Sequence, residues 1–220
     1  MTTRLYLLRH GEVTSHRGDV PITADGERRA FEVGQVLGLG EARPLLVLTG
    51  ETRRAMDTGS HLAKGVTEAG ADVIGPRVAF ALRNPDLYLA GTRVNMVSSA
   101  DALAEQVEGM SVDEVLGHDF FPEFFDSPDR IGWWLTHESP PGENADAVAG
   151  RVRAFAVSLA DPIPGDPDVV VAVTHSPLLR AAALDLLGRD IGEPPWVSGL
   201  LVDLGSDGKL SAEVFGGDQP

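Results

Sequence analysis

Apolar residues in this chain fall into two alternating patterns: short unbroken runs and helical repeats. Leu5-Tyr6-Leu7-Leu8 is an unbroken run and predicts a buried strand. Thr23 predicts a helix cap, with Ala24 opening the helix, Asp25 in its first turn, and Ala30, Val33 and Leu37 on one face. Gly38 and Gly40 end that helix. Leu45-Leu46-Val47-Leu48 predicts a second buried strand, and Thr52 caps a second helix running through Ala55 and Leu62 towards Lys64. Val73-Ile74 and Val78-Ala79-Phe80 read as strand pieces on either side of Gly75-Pro76.

The alternation breaks between residues 83 and 142, where Pro85, Pro122, Pro128, Pro140 and Pro141 separate short helical patterns. This stretch is too broken to carry a large core of its own. It is expected to be an insertion packed over one end of the sheet, within a single domain spanning residues 1–220. Regularity returns with Ala145, Val148, Val152, Phe155 and Leu159 on one helix face. Val169-Val170-Val171-Ala172-Val173 is the clearest strand, and such a run implies burial on both sheet faces. Ser176 and Pro177 fit the N-cap and first position of the next helix. Leu200–Leu204 and Leu210–Phe215 flank Gly205-Ser206-Asp207-Gly208 and predict a hairpin. The expected fold is a three-layer α/β/α sandwich with a mostly parallel sheet.

Composition narrows the chemistry. The chain of 220 residues has no cysteine, so disulfides, thiolate metal sites and cysteine nucleophiles are excluded. No signal-peptide pattern or membrane-length apolar run is visible, and a soluble, cytoplasmic protein is expected. A net charge of −15 argues against nucleic acid or a membrane surface as partner. It also means that an anionic substrate must be drawn by a local cluster of cations.

Candidate chemistry sits where strands end. Arg9-His10-Gly11-Glu12 follows the first apolar run, and ligands of open α/β sheets bind at the carboxyl ends of strands. A histidine there can be a nucleophile, with an adjacent arginine holding the anion it attacks. Thr174-His175-Ser176 repeats the placement at the end of the strongest strand and the start of a helix, where backbone N–H groups favour an anion. Arg53 and Arg54 lie in the first turn of a helix, a position unfavourable to cations unless an anion is near. Arg9, His10, Arg54 and His175 can therefore converge on one phosphate if their strands are neighbours.

The chain resembles the histidine phosphatase superfamily of phosphoglycerate-mutase-like enzymes. The resemblance rests on Leu8-Arg9-His10-Gly11-Glu12, Ile22-Thr23-Ala24-Asp25-Gly26, Arg53-Arg54-Ala55-Met56-Asp57-Thr58, Pro141-Gly142-Glu143-Asn144, and Val173-Thr174-His175 with Leu178-Leu179-Arg180-Ala181. These motifs follow in family order over roughly 170 residues. The resemblance implies a phosphoglycerate-mutase-like fold and a phosphohistidine on His10. It implies phosphate binding by Arg9, Arg54 and His175, and no metal or other cofactor. It places a general acid near Leu82-Arg83-Asn84, where many members carry a glutamate. An amide cannot serve, so Asp86 is the expected acid, with Glu12 and Glu143 in reserve. The polar residue that usually follows the first motif is altered, leaving His16 or Arg17 to reach the phosphate. Ser176 stands where another branch carries an aspartate.

The expected activity is that of a phosphomonoesterase on a small organic phosphate ester. A phosphoglycerate mutase, an impaired phosphate-binding regulator, and a metal hydrolase using His10, Glu12 and His175 are the alternatives. The insertion lacks the Glu-x-x-Tyr-Gly pattern of glycolytic mutases, which favours the phosphatase. Phe120, Phe121, Phe124, Phe125, Trp133 and Trp134 form either a local core or an apolar wall for the ester. A homodimer is left open.

Overall fold

The computed structural model describes residues 3–205 and 208–216, so Ser206 and Asp207 of the expected hairpin turn lie outside the described residues. Six strands form the main sheet: β1 (Thr3–Arg9), β2 (Leu45–Thr49), β3 (Val73–Val78), β6 (Val169–Thr174), β7 (Gly199–Leu204) and β8 (Leu210–Phe215). Their spatial order is β3-β2-β6-β1-β7-β8. The β3–β2, β2–β6 and β6–β1 pairings are parallel, and β7 and β8 close one side antiparallel. The sheet is thus mostly parallel, as its apolar runs imply.

Side chains of the central strands alternate between two cores. Leu5 and Leu7, Leu46 and Leu48, and Val170 and Ala172 face one side. That core includes Val148 and Val152 of helix α7 (Ala145–Ser158) and Leu178 and Leu179 of α8 (Ser176–Leu187). Tyr6, Leu8, Leu45, Val169, Val171 and Val173 face the other. There they meet Ala30, Val33 and Leu37 of α1 (Ala24–Gly38) and Leu62 and Val66 of α2 (Arg53–Glu68). Period-two burial on both faces explains why these strands carry almost no polar residue.

The caps follow the sequence closely. Thr23 accepts from the Gly26 amide at 3.1 Å, and Thr52 caps α2, which continues to Glu68, beyond Lys64. Two expectations shift. Gly75-Pro76 does not divide two strand pieces; β3 runs through it with a register irregularity, and Phe80 opens a 3-10 turn (Phe80–Leu82). The cap of α8 is His175 rather than Ser176, because β6 ends at Thr174 and α8 already starts at Ser176, leaving His175 as the one residue between them.

Residues 83–142 fold into a small hairpin, β4 (Leu87–Leu89) and β5 (Thr92–Val94), and four short helices. These are α3 (Ala100–Ala104), α4 (Val112–Leu116), α5 (Phe121–Asp126) and α6 (Arg130–Thr136). Their buried residues share one cluster with the α7–α8 face of the sheet. Among the described residues no helix is long and apolar enough to cross a membrane.

Helices α1 and α2 pack backbone to backbone through glycines. A Cβ on Gly65 would overlap the Phe31 carbonyl oxygen, and one on Gly34 would overlap that of Leu62. On an open helix face Gly→Ala stabilises by about 1 kcal/mol. Here the overlap reverses the sign: Gly65→Ala is expected to destabilise by about 1–3 kcal/mol, read as a lower denaturation midpoint.

Candidate active site

Parallel register brings the site together. Arg9 lies opposite Thr174 across the β1–β6 pairing, so His10 and His175 are each the next residue on neighbouring strands. Thr49 lies opposite Val173, which sets the start of α2, and with it Arg54, beside them. The imidazole rings of His10 and His175 are 5.3 Å apart between centroids. Arg9, His10, Arg54 and His175 all line one cavity of about 440 Å³, and all four are buried.

Local bonds fix the first strand end. The Gly11 amide donates to the Thr58 hydroxyl at 2.8 Å, and that hydroxyl donates to the Arg54 carbonyl at 2.6 Å. The turn after β1 is thereby tied to the turn that carries Arg54. His10 Nδ1 lies 2.8 Å from the Gly11 carbonyl oxygen. A carbonyl can only accept, so Nδ1 carries the proton and Nε2 keeps its lone pair. Burial, reinforced by the nearby Arg54 charge, pushes the His10 pKa down to about 3. His175 is lowered well below the ordinary range by the same causes. Both rings are neutral at pH 7.

The two arginines are unequally neutralised: Arg9 pairs with Glu193, while Arg54 forms no ion pair among the described residues. Burial lowers the Arg9 pKa to about 10 despite the opposing field of Glu193, and burial also lowers that of Arg54. The Nε atoms of both are buried without a hydrogen-bond partner. Arg53, by contrast, is exposed and pairs loosely with Asp57 at 3.8 Å, so one member of the pair is a solvated side chain. His16 lines the cavity with its ring stacked on Trp196. Burial, then the charges of Arg54 and Arg9, lower its pKa.

Two expected residues lie elsewhere. Asp86 does not line the cavity; its carboxylate is gripped by Arg83 at 2.6 Å and by Arg93. Burial would raise its pKa, but these two arginines outweigh that and lower it. Arg17 is also outside the cavity, exposed, and paired with Asp101 at 2.9 Å and with Glu105. Opposite charge on α3 and the segment after it draws Arg17 away from the phosphate end.

The reserve carboxylates are engaged as well. Glu12 accepts from the Thr23 hydroxyl at 2.8 Å. Glu143 accepts from Arg151 at 2.9 Å and from the Asp86 amide at 2.8 Å. Asn84, in contrast, is buried and lines the cavity, and the Thr174 hydroxyl holds the adjoining turn through the Leu82 carbonyl at 2.8 Å. Among the described residues no group of three or more His, Asp or Glu side chains could hold a metal ion.

The partners of two motif arginines, Glu193, Pro194 and Trp196 for Arg9 and Asp129 and Asp190 for Arg180, gave no periodic or motif signal. Arg9 donates to the Pro194 carbonyl at 2.7 Å, pairs with Glu193 at 2.6 Å, and stacks on Trp196 with its guanidinium carbon 3.4 Å from the ring centroid. Arg180 is buried and takes Asp129 and Asp190 at 2.6 Å each, clamping α6 to α8. The aromatics of the insertion mostly pack on one another, as with Phe120 and Trp133 at 5.0 Å; Phe124 is the one of the six that lines the cavity. Met96, Val97 and Ile131 extend that wall.

The sequence profile of the histidine phosphatase superfamily (branch 1) matches residues 95–203. The match spans 109 of the chain's 220 residues, just under half, and is a likeness to this superfamily over that part. No curated protein sequence matches it. Among solved structures, mycobacterial glucosyl-3-phosphoglycerate phosphatase in complex with VO3 is 22% identical, with a TM-score of 0.59 over 96% of this chain and 97% of that one. Bacillus stearothermophilus YhfR is 22% identical, with a TM-score of 0.60 over 99% and 98% of the two chains. Phosphoglycerate mutase from Bacillus anthracis is 16% identical, with a TM-score of 0.58 over 98% and 93%. At these identities the likeness is one of fold.

The buried neutral histidines set a pH signature. Folded His10 stays unprotonated down to about pH 3, whereas an imidazole in the unfolded chain takes a proton near 6.5. Between these values the unfolded state binds more protons, so stability falls as pH falls. The slope is up to about 1.4 kcal/mol per pH unit for each such group. Denaturant titrations at pH 7 and pH 5 should therefore show a smaller acid loss in His10→Gln than in the wild type. An unchanged loss would contradict the burial argument.

Proposed function

We propose that the protein is a phosphomonoesterase that transfers the phosphoryl group of a small organic phosphate ester to His10 and then to water. The observation that supports this most is the pair of buried guanidinium groups, Arg9 and Arg54, with unsatisfied Nε atoms beside a neutral His10 whose Nε2 is unprotonated. A buried guanidinium N–H without an acceptor is costly, and a phosphate is the ligand that both arginines and the lone pair suit.

In this reading Nε2 of His10 attacks phosphorus as the ester P–O bond breaks. Arg9, Arg54 and His175 stabilise the charge on the equatorial oxygens, the main requirement of phosphoryl transfer. His175 does so as a neutral hydrogen-bond donor. Guanidinium groups supply the positive charge, so the mechanism needs no metal. Water then attacks the phosphohistidine from the side the alcohol has left. The wall of Met96, Val97, Phe124 and Ile131 favours an ester with an organic, partly apolar alcohol.

Quenching during turnover of an aryl or alkyl phosphate should trap an acid-labile phosphate on His10, and His10→Ala should abolish both trapping and turnover while its circular dichroism stays native. An active His10→Ala enzyme refutes the mechanism. Isomerisation of phosphoglycerate without phosphate release would assign a mutase instead.

A further inference from the structure

The phosphatase reading leaves the alcohol without a proton donor. Asn84 occupies the place where a carboxyl would serve, and an amide neither gives nor takes the proton. Among the described residues two carboxylates line the cavity, Asp129 and Glu193. Asp129 is committed elsewhere. Both of its oxygens are held by the Arg180 fork, at 2.7 and 2.6 Å, and one also accepts from the Gly132 amide at 3.0 Å. That grip lowers its pKa to about 2. Glu193 is held differently: one oxygen meets Arg9 at 2.6 Å and the other meets the Ser176 hydroxyl at 2.5 Å.

We propose that Glu193 is the general acid and base of this site, a role that rests on the phosphatase reading above. Three features of its setting carry the assignment. First, position: His10 is buried at the cavity floor, whereas the Glu193 side chain is 50% exposed. In-line displacement points the leaving oxygen away from His10 and so towards the mouth, where Glu193 stands. Second, its partner: a hydroxyl both donates and accepts, so Ser176 can donate to the carboxylate and accept from the carboxylic acid without moving. Guanidinium groups, which only donate, hold both oxygens of Asp129, whereas Arg9 meets only one oxygen of Glu193 and leaves the other to Ser176. Third, substrate coupling: a phosphate that binds Arg9 places a second anion on the cation that Glu193 already uses. A phosphate held by Arg9 is thereby brought to the same guanidinium as the Glu193 carboxyl.

The proton balance closes. In the first half the Nε2–P bond forms and the P–O bond breaks with its electron pair on the leaving oxygen, which takes the Glu193 proton. In the second half the Glu193 carboxylate takes a proton from the attacking water, and the N–P electron pair returns to Nε2. The products are the alcohol and phosphate.

The test compares Glu193→Gln with the wild type on glycerol phosphate, whose alkoxide needs a proton to leave, and on p-nitrophenyl phosphate, whose phenolate does not. The ratio kcat/KM reports the first half-reaction alone. It should fall about 10²–10⁴-fold for glycerol phosphate and less than about tenfold for p-nitrophenyl phosphate. With p-nitrophenyl phosphate the variant should also show a nitrophenolate burst of one equivalent, because the phosphohistidine has lost the base that activates water. Equal losses of kcat/KM on both esters, without a burst, would make Glu193 only a holder of Arg9 and overturn the proposal; so would an unchanged variant. Wild-type protein that hydrolyses neither ester would overturn the phosphatase reading itself, and this role with it.

Discussion

Two guanidinium groups kept out of water, Arg9 matched by the half-exposed Glu193 alone and Arg54 by no ion pair among the described residues, are the constraint around which this molecule is organised. Arg9 and Arg54 are each less than a tenth exposed, and each leaves a buried Nε unpaired. Such an arrangement lowers stability unless the surrounding fold holds it rigidly. The fold does so from several directions. Trp196 and the Pro194 carbonyl brace Arg9, and Thr58 ties the backbone of Arg54 to the turn after β1. Their field in turn helps to keep His10 and His175 neutral, so the same two charges that await an anion also preserve the lone pair that would attack it. The overall charge of −15 matters less than these two groups at the cavity, because charges exposed to water are screened by salt and buried ones are screened much less.

The loop after β1 shows how surface charge serves that arrangement. Arg17 pairs with Asp101 of α3 and with Glu105, and Asp19 accepts from the Arg53 amide at 2.7 Å. Immediately before these two anchors His16 lines the cavity, stacked on Trp196. Each exposed pair is worth little on its own. Together they restrict a loop that contributes one ring to the site.

Reading the sequence recovered what local physics encodes. The run Val169–Val173 could only be a strand buried on both faces, and Thr23 and Thr52 marked helix starts through their own hydroxyls. His10, His175, Arg9 and Arg54 were legible because strand ends and first helical turns are places where such residues need a reason. Asp86 and Arg17 were misplaced because proximity in sequence stood in for direction. Asp86 is turned by Arg83, three residues away, and by Arg93, across the small hairpin. Glu193, Trp196 and the Arg180 clamp were invisible because their partners are distant: Arg9 and Pro194 are 185 positions apart. No periodicity records a pairing of that kind.

The cavity is built from two sources with different freedoms. Its floor comes from the ends of β1 and β6 and the first turn of α2, whose positions follow from the register of a sheet packed on both faces. A one-residue slip there would turn every strand side chain to the wrong core. Its walls come from Met96, Val97, Phe124 and Ile131 in the insertion, and from Glu193 in an irregular segment before β7. These wall positions pack against the sheet core or each other without setting the register of any main-sheet strand. On the proposed function, exchanging Met96, Val97, Phe124 or Ile131 would change which alcohol fits while leaving the arginines and histidines of the floor in place. The aromatic cluster around Phe120 and Trp133 supports this division, since it anchors the insertion as a unit while Phe124 alone of its six rings lines the cavity.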